Sequence, residues 1–365
     1  MAATSLDRVV VSAARGPYAV VIGSGAIDAL GAELNGAKLG RRRLLIASQR
    51  VWDFHGPRFR KAGADRTPIL IEDGERYKNL NTVARVLDAL VKAEADRSTV
   101  VIAVGGGVIG DLVGFAAATY LRGVPVVHVP TTLLAQVDSA IGGKTGVNHP
   151  LGKNLIGAFH APSLVVADPV VLETLPRREF RAGLYEVIKY GVIAEPGLLD
   201  RVRDTLPAIF NRDGDAVAPL VAASCRIKAA VVSADERESG VRRSLNFGHT
   251  IGHALEAATK YKRFRHGEAI GYGMLAALAI GVTRGITPKS LGEEVDALIT
   301  QLGPLPSVAD ISAKEVLAAI TRDKKVVNGT LHFIAAADRG KTVEVTDVDE
   351  KEIKTALKKI GLRSA

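Results

Sequence analysis

Hydrophobic residues in the first half of the chain form short runs separated by segments with helical spacing. The apolar runs predict strands at residues 19–22, 43–48, 68–71, 99–104, 124–129 and 164–167. Between two of these runs, Val83, Val86, Leu87 and Leu90 recur at helical intervals and predict a helix over residues 81–93, with Asn81 as its N-cap. Strands that alternate with helices predict an α/β domain with a mostly parallel sheet.

The second half of the chain has a different pattern, because long helical segments dominate from about Pro176 onward. Helices are predicted at residues 180–193, 219–234, 246–260 and 268–283, and one pair of strands at residues 330–334 and 342–345. We therefore predict two domains, an α/β domain over residues 1–175 and a mainly helical domain over residues 176–365.

Composition and charge narrow the classes of function. The chain of 365 residues has 48 Lys and Arg against 39 Asp and Glu, a net charge of +9. Its longest basic run is Arg41–Arg43, without interleaved aromatic residues, so an anionic substrate is favoured over nucleic acid. The apolar stretch at residues 269–282 is too short to span a bilayer, and no signal peptide is evident. Cys225 is the single cysteine, which excludes an intramolecular disulfide. We expect a cytoplasmic protein that binds neither nucleic acid nor a membrane.

A glycine-rich segment follows the predicted strand at residues 99–104. Gly105, Gly107 and Gly110 form a G-x-G-x-x-G pattern that opens an apolar helix. Glycines let the backbone approach a phosphate, and the start of a helix offers free N–H groups. The usual dinucleotide fingerprint lies on the first strand and is followed by an acidic residue about 20 positions later. That arrangement is missing, so both a nucleotide site and a structural turn remain open.

A second segment, residues 136–146, is rich in small and polar residues. It is not a P-loop, because Asp138 stands where the G-x-x-x-x-G-K-[ST] motif requires glycine. Lys144, Lys153 and Asn154 follow closely and are candidates for holding an anion. The alternative is a solvated turn.

Histidine and carboxylate residues suggest a metal site. His249 and His253 share a helix face at positions i and i+4, His266 follows, and Glu186 lies one turn before Lys189. Two imidazoles and one carboxylate are a common catalytic zinc set. The spacing leaves open whether His253 is a metal ligand or an acid–base group.

Taken together, the motifs resemble those of the 3-dehydroquinate synthase family, within the sugar phosphate cyclases. The resemblance covers nearly the whole chain and rests on these blocks in order: 73–75 with Lys78, 105–111, 121–123, 130–144, 152–154, Glu186 with Lys189, Lys228, 235–242, 246–253, 266–268 and 323–325.

The resemblance implies an NAD-binding, Rossmann-like domain over residues 1–175 and a helical domain over residues 176–365 that binds the metal and the substrate. The implied metal ion is Zn²⁺ or Co²⁺, and its implied ligands are Glu186, His249 and His266, which leaves His253 facing the substrate. The implied NAD contacts are Asp73, Glu75, Lys78, Gly106, Gly107, Val108, Asp111, Thr131, Thr132, Lys144, Lys153 and Thr174. The implied catalytic residues are Asp138, Lys144, Lys189, Lys228, Asn246 and His253. The implied substrate-binding residues are Arg122, Lys153, Asn154, Arg242, Lys324 and Lys325.

The reaction implied by the resemblance converts 3-deoxy-D-arabino-heptulosonate 7-phosphate to 3-dehydroquinate and phosphate. It combines NAD-dependent oxidation, phosphate elimination, reduction, ring opening and an intramolecular aldol closure. The resemblance also implies a homodimer in which Arg122 reaches the neighbouring subunit's substrate phosphate. The alternatives are another sugar phosphate cyclase, such as 2-deoxy-scyllo-inosose or 2-epi-5-epi-valiolone synthase, and a related metal-dependent alcohol or glycerol-phosphate dehydrogenase.

Overall fold

A seven-stranded sheet forms the centre of the first part of the chain. The computed structural model describes residues 6–62, 67–238, 240–322, 326–327 and 330–363. The strands of the sheet are β1 (Asp7–Val11), β2 (Tyr18–Ile22), β3 (Arg43–Ser48), β4 (Ile69–Ile71), β5 (Val100–Gly105), β6 (Val126–Pro130) and β9 (Leu164–Ala167). Their order is β1-β2-β9-β6-β5-β3-β4, and every neighbouring pair is parallel except β1 and β2. The predicted α/β fold class is therefore confirmed, and β1 is an edge strand that the hydrophobic pattern did not predict.

Both faces of this sheet are buried, which explains why its strands are continuous apolar runs. Along β5, Val100, Ile102 and Val104 enter one hydrophobic cluster, whereas Val101 and Ala103 enter the other. The alternation follows from the period of two in a strand. Helices that cover the sheet are α1 (Leu30–Gly36), α2 (Gln49–Lys61), α3 (Leu80–Lys92) and α4 (Gly107–Thr119).

The start of α3 differs from the sequence prediction by two residues. The N-cap is Asn79 rather than Asn81, because Asn79 has an extended backbone and its side chain accepts a hydrogen bond from the amide of Thr82 at 3.1 Å. An N-cap side chain of this kind satisfies one of the free N–H groups of the first turn. Asn81 therefore lies within the helix.

The polar segment around Lys144 is a β-hairpin rather than a turn region. Strands β7 (Lys144–His149) and β8 (Gly152–Phe159) pair in antiparallel fashion. Gly146 and Gly157 face each other across the pair, and a Cβ atom on Gly157 would lie 2.2 Å from the carbonyl oxygen of Thr145. The small residues that read as a loop thus permit two backbones to approach closely.

Helices make up most of the second part of the chain. They are α5 (Arg177–Ile193), α6 (Gly197–Phe210), α7 (Gly214–Ala234), α8 (His249–Ala258), α9 (His266–Thr283), α10 (Lys289–Gln301), α11 (Ala313–Arg322) and α12 (Glu350–Lys359). The short strands are β10 (Val326–Val327), β11 (Thr330–Leu331), β12 (Phe333–Asp338) and β13 (Lys341–Val345). The four predicted helices correspond to α5, α7, α8 and α9. The predicted late strand pair corresponds to β12 and β13, which are antiparallel.

Contacts divide the chain into two units that interleave along the sequence. The first unit comprises Met1–Phe180 and Phe210–Glu236, and the second comprises Arg181–Ile209 and Arg237–Ala365. This differs from the single boundary predicted at residue 175, because α7 packs against β1 in the first unit rather than with the later helices. The amide of Ser12 donates to the hydroxyl of Ser233 at 2.9 Å, which ties the end of α7 to the same region.

Helix α7 is also long and apolar enough to cross a membrane when judged by length and composition alone. The core helix of a folded domain passes the same test, and α7 carries Lys228 and buried residues along its length. We therefore interpret it as a core helix of the first unit.

Candidate functional site

In the first unit, the glycine-rich segment lies at the carboxyl ends of two adjacent parallel strands. β5 ends at Gly105 and α4 begins at Gly107, while the next strand in the sheet, β6, leads into Thr131. The amide of Thr131 donates to the carbonyl of Gly105 at 2.9 Å, and a Cβ atom on Gly106 would lie 2.9 Å from Cγ2 of Thr132. This edge of an α/β sheet is where ligands generally bind, and the first N–H groups of α4 suit a phosphate.

Lys78 is the centre of a polar cluster in the same unit. Its side chain is buried, and its ammonium group donates to Asp111 at 2.5 Å and to the side-chain oxygen of Asn154 at 2.6 Å. Burial raises the pKa of Asp111, and the charge of Lys78 opposes that shift. The structure thus brings together two predicted NAD contacts and one predicted substrate contact.

A second group of predicted residues surrounds Glu75. Its carboxylate accepts a hydrogen bond from the side-chain amide of Asn148 at 2.8 Å and lies 3.6 Å from the ammonium group of Lys153. The side-chain oxygen of Asn148 also accepts from the backbone amide of Asn154 at 3.0 Å. Asn148 was not among the predicted site residues, and its place on the β7–β8 hairpin explains why a loop interpretation missed it. Asp73 accepts a hydrogen bond from the neighbouring amide of Gly74.

The other predicted residues of this unit each have their own surroundings. The ammonium group of Lys228 donates to the carboxylate of Asp138 at 2.6 Å and to its carbonyl oxygen at 2.7 Å. The hydroxyl of Thr174 lies 3.0 Å from Nε2 of His55. Lys144 is exposed at the start of β7. Arg122 lies in a short turn with a φ of 66°, a left-handed conformation that is uncommon for residues other than glycine.

In the second unit, a fully buried carboxylate faces two imidazole rings. Glu186 on α5 has no exposed surface, and its Oε1 atom lies 3.7 Å from Nε2 of His249 and 3.6 Å from Nε2 of His266. Lys189 contacts the other oxygen as an ion pair one helical turn later. Its Oε1 atom, which faces the two rings, accepts no hydrogen bond. A buried carboxylate oxygen without a hydrogen bond is unfavourable, and a divalent cation between Oε1 and the two rings would add to the compensation that Lys189 supplies at the other oxygen.

The histidine cluster also includes His253. The rings of His249, His253 and His266 each offer one nitrogen within 4.8 Å of the others. The ring centroids of His249 and His253 are 5.2 Å apart, and those of His253 and His266 are 5.7 Å apart. The donor set therefore fits a metal ion such as zinc, with either Glu186 or His253 as a third ligand beside His249 and His266.

The close backbones of three helices determine this arrangement. His266 is the first residue of α9, and a Cβ atom on the adjacent Gly267 would lie 1.8 Å from the carbonyl oxygen of Ala182 on α5. His249 is the first residue of α8, where Gly248 has a φ of 76°. A Cβ atom on Gly273 of α9 would lie 1.9 Å from the carbonyl oxygen of Gly248. Glycine at these contacts lets the helices approach closely enough to bring the donors together.

Two further predicted residues lie on the turn before α8. Arg242 is buried, and the side-chain amide of Asn246 donates to the carboxylate of Glu238 at 2.6 Å. Sequence reasoning did not single out Glu238. Nor did it single out Glu256, whose carboxylate lies 3.3 Å from Nδ1 of His266. Because Glu256 follows His249 at i+7 and His253 at i+3, helical periodicity alone would have placed it on the same face. Lys324 and Lys325 lie outside the described residues.

Comparisons with known proteins identify the family. The model of the 3-dehydroquinate synthase N-terminal domain matches residues 68–182, and that of the C-terminal domain matches residues 183–326. A relative from Nostoc punctiforme, named 3-dehydroquinate synthase, is 46% identical over 346 residues, which cover 90% of this chain and 93% of the relative. The chain belongs to the 3-dehydroquinate synthase family.

Solved structures with the same fold come from related enzymes. The 2-epi-5-epi-valiolone synthase from Streptomyces hygroscopicus, with NAD⁺ and Zn²⁺ bound, is 27% identical, with a TM-score of 0.84 over 99% of both chains. A 2-deoxy-scyllo-inosose synthase with carbaglucose-6-phosphate, NAD⁺ and Co²⁺ is 26% identical, with a TM-score of 0.86 over 97% of this chain and 100% of that chain. The predicted family and fold are therefore confirmed, and the individual site residues stay predictions.

Proposed function

We propose that this member of the 3-dehydroquinate synthase family converts 3-deoxy-D-arabino-heptulosonate 7-phosphate to 3-dehydroquinate and phosphate. The observation that carries the proposal is the similarity to 3-dehydroquinate synthases across both family domains, at 46% identity to the Nostoc relative. In this reaction one substrate hydroxyl is oxidised, phosphate is eliminated and the ketone is reduced. The ring then opens and closes again by an intramolecular aldol step.

We assign the metal to the second unit, with Glu186, His249 and His266 as its ligands. The Oε1 atom of Glu186, which accepts no hydrogen bond, and the two facing Nε2 atoms support this assignment. The chemistry that Zn²⁺ or Co²⁺ supplies in such a set is the polarisation of a substrate oxygen. With those three residues as ligands, His253 is left next to the reacting groups and can accept or donate a proton there.

We assign NAD⁺ to the first unit, at the carboxyl ends of β5 and β6. The residues assigned to it are Asp73, Glu75, Lys78, Gly106, Gly107, Val108, Asp111, Thr131, Thr132, Lys144, Lys153 and Thr174. The chemistry that NAD⁺ supplies is reversible hydride transfer, so the cofactor is regenerated within one turnover. Gly106 packs closely against Thr132, and it directly precedes the start of α4, whose first N–H groups suit a phosphate.

The two anionic groups of the proposed substrate explain the many cationic residues among the site predictions. A carboxylate and a phosphate are both recognised by Lys and Arg side chains. We assign substrate binding to Arg122, Lys153, Asn154, Arg242, Lys324 and Lys325, and catalytic roles to Asp138, Lys144, Lys189, Lys228, Asn246 and His253. The contact of Lys228 with Asp138 at 2.6 Å supports a shared role, because the carboxylate orients the ammonium group. Polar contacts of this kind would hold one substrate in position through several steps.

We further propose a cytoplasmic homodimer in which Arg122 acts across the interface. The left-handed backbone at Arg122 and the exposed Leu121 beside it support a specialised role for this turn, because strained backbone often marks functional positions.

The experiment that tests the proposed function is a substrate comparison. Zinc-loaded protein is incubated with NAD⁺ and the heptulosonate phosphate, and in parallel with sedoheptulose 7-phosphate and glucose 6-phosphate. Release of phosphate and formation of 3-dehydroquinate from the heptulosonate alone support the proposal. Turnover of only a sugar phosphate without a carboxylate would instead assign the chain to one of the other sugar phosphate cyclase activities.

A further inference from the structure

Glu256 lies on the side of the His266 ring opposite Glu186. It belongs to α8, its side chain is 3% exposed, and its Oε2 atom lies 3.3 Å from Nδ1 of His266. The other ring nitrogen of His266, Nε2, lies 3.6 Å from Oε1 of Glu186. The imidazole of His266 is therefore held between two buried carboxylates, one at each nitrogen.

His249 shows the same arrangement with a different partner. Its Nδ1 atom lies 3.1 Å from the carbonyl oxygen of Phe247, and its Nε2 atom lies 3.7 Å from Oε1 of Glu186. Both rings thus present Nε2 to the same carboxylate oxygen, while an acceptor lies at Nδ1. A histidine that ligates a metal usually donates its second N–H in this way, which fixes the tautomer and the orientation of the ring.

The two rings differ in how strongly they need that support. The side chain of His266 is 29% exposed, whereas that of His249 is 11% exposed. A more exposed ring is less restrained by packing, and water competes with the protein acceptor for the hydrogen bond from its N–H group. A charged acceptor forms a stronger hydrogen bond than a neutral carbonyl, so the carboxylate supports the ring that packing restrains less.

We infer that Glu256 is a positioning residue, which accepts a hydrogen bond from Nδ1–H of His266 and leaves the lone pair of Nε2 directed toward Glu186. The inference rests on the proposed function, because it requires a metal ion at this cluster. Glu256 itself does not touch the substrate or the metal in this interpretation. Its role is to fix the tautomer of His266 and to raise the basicity of its ring.

The test measures metal affinity rather than turnover alone. Metal-free parent protein, Glu256→Gln and Glu256→Ala are titrated with zinc against a competing chelator, and with cobalt by visible absorption. We expect zinc to bind about 10- to 100-fold more weakly in Glu256→Ala, in line with the effect of removing such partners elsewhere. The loss in Glu256→Gln should be smaller, because its amide oxygen can still accept from Nδ1–H but carries no charge. The cobalt spectrum changes as the geometry at His266 relaxes, and activity returns toward the parent level at saturating zinc.

A matched control separates the loss of the hydrogen bond that orients His266 from the loss of one negative charge. Glu268 is also buried, lies on the same helix as His266 and accepts a hydrogen bond from the backbone amide of Arg265 at 2.8 Å. Glu268→Gln removes a buried carboxylate two positions after His266 in the chain and keeps an oxygen that can accept this bond. We expect its zinc affinity to match that of the parent. Thermal unfolding of each metal-free protein verifies that the variants fold.

Two results would overturn the inference: an unchanged zinc affinity in folded Glu256→Ala, or an equal loss in Glu268→Gln. A parent protein that binds no zinc would instead overturn the metal site of the proposed function. The two failures are therefore distinguishable in one set of titrations.

Discussion

The contact between Gly267 and α5 allows a direct test of how the helices build the metal site. In Gly267→Ala, the new Cβ atom would lie 1.8 Å from the carbonyl oxygen of Ala182, although such contacts are essentially never shorter than 3.0 Å. The backbones of α5 and α9 must therefore separate by at least 1.2 Å at this point. Both backbones belong to regular helices, so no flexible side chain can absorb the movement.

This displacement acts directly on the proposed ligands. His266 precedes Gly267 in the chain, and Glu186 lies one turn after Ala182 on α5. The Glu186–His266 separation of 3.6 Å would increase by a similar amount. We expect zinc affinity to fall by about 100-fold or more, at or beyond the upper end for loss of a supporting partner. We also expect the free energy of unfolding of the metal-free protein to fall by about 1–3 kcal/mol, as for other overpacked sites.

Zinc competition with a chelator and urea denaturation of the metal-free protein measure the two effects separately. Gly197→Ala is the control, because Gly197 begins α6 in the same unit and a Cβ atom there would meet no heavy atom within 4 Å. We expect this control to retain both the stability and the zinc affinity of the parent. If Gly267→Ala also retains both, the proposed link between the helix contact and the ligand geometry is refuted.

Three further predictions concern other parts of the molecule. Glu186→Gln or His249→Ala should abolish metal-dependent turnover, and full activity in a metal-free variant would contradict the ligand assignment. Burial lowers the pKa of His128 to about 4, so the unfolded chain takes up the proton first as the pH falls; we expect a loss of about 3 kcal/mol in the free energy of unfolding between pH 6.5 and 4. Urea denaturation across this range should show that the free energy of unfolding depends less steeply on pH in His128→Gln than in the parent. Burial raises the pKa of Cys225 to about 12, so a thiol reagent at pH 8 should modify this cysteine only after unfolding.

The sequence predicted the parallel sheet well, because its strands are apolar runs buried on both faces. In the strand at Val100–Val104, every side chain enters one of the two hydrophobic clusters, so the whole segment is apolar and predicts a buried strand. It predicted the β7–β8 hairpin poorly, because the pairing depends on the small residues Gly146 and Gly157, which carry no alternation of apolar and polar positions. Local patterns also did not reveal that α7 belongs with the first unit, since a helix's apolar face does not specify its partner.

For the metal site too, the sequence predicted which residues share a helix face but not which residues of different helices lie close together. Helical spacing linked His249 with His253, but it contained no information on the distance between these residues and Glu186, which lies on another helix. That relation came from the family resemblance, and the structure adds the close contacts at Gly267 and Gly273 that make it physically feasible. For Glu256 the sequence already contained the helical register with His249. Only the structure shows that Glu256 is buried and contacts His266, which is what suggests a role for it.

The central claim is that one enzyme performs an oxidation and its reversal without net redox change. The most direct measurement counts 3-dehydroquinate formed per molecule of NAD⁺, with NAD⁺ supplied well below the substrate concentration and NADH monitored by its absorbance. We expect many turnovers per NAD⁺ without accumulation of NADH, loss of turnover after chelation of the metal, and its return on addition of zinc. Stoichiometric accumulation of NADH, as in a simple dehydrogenase, would contradict the account.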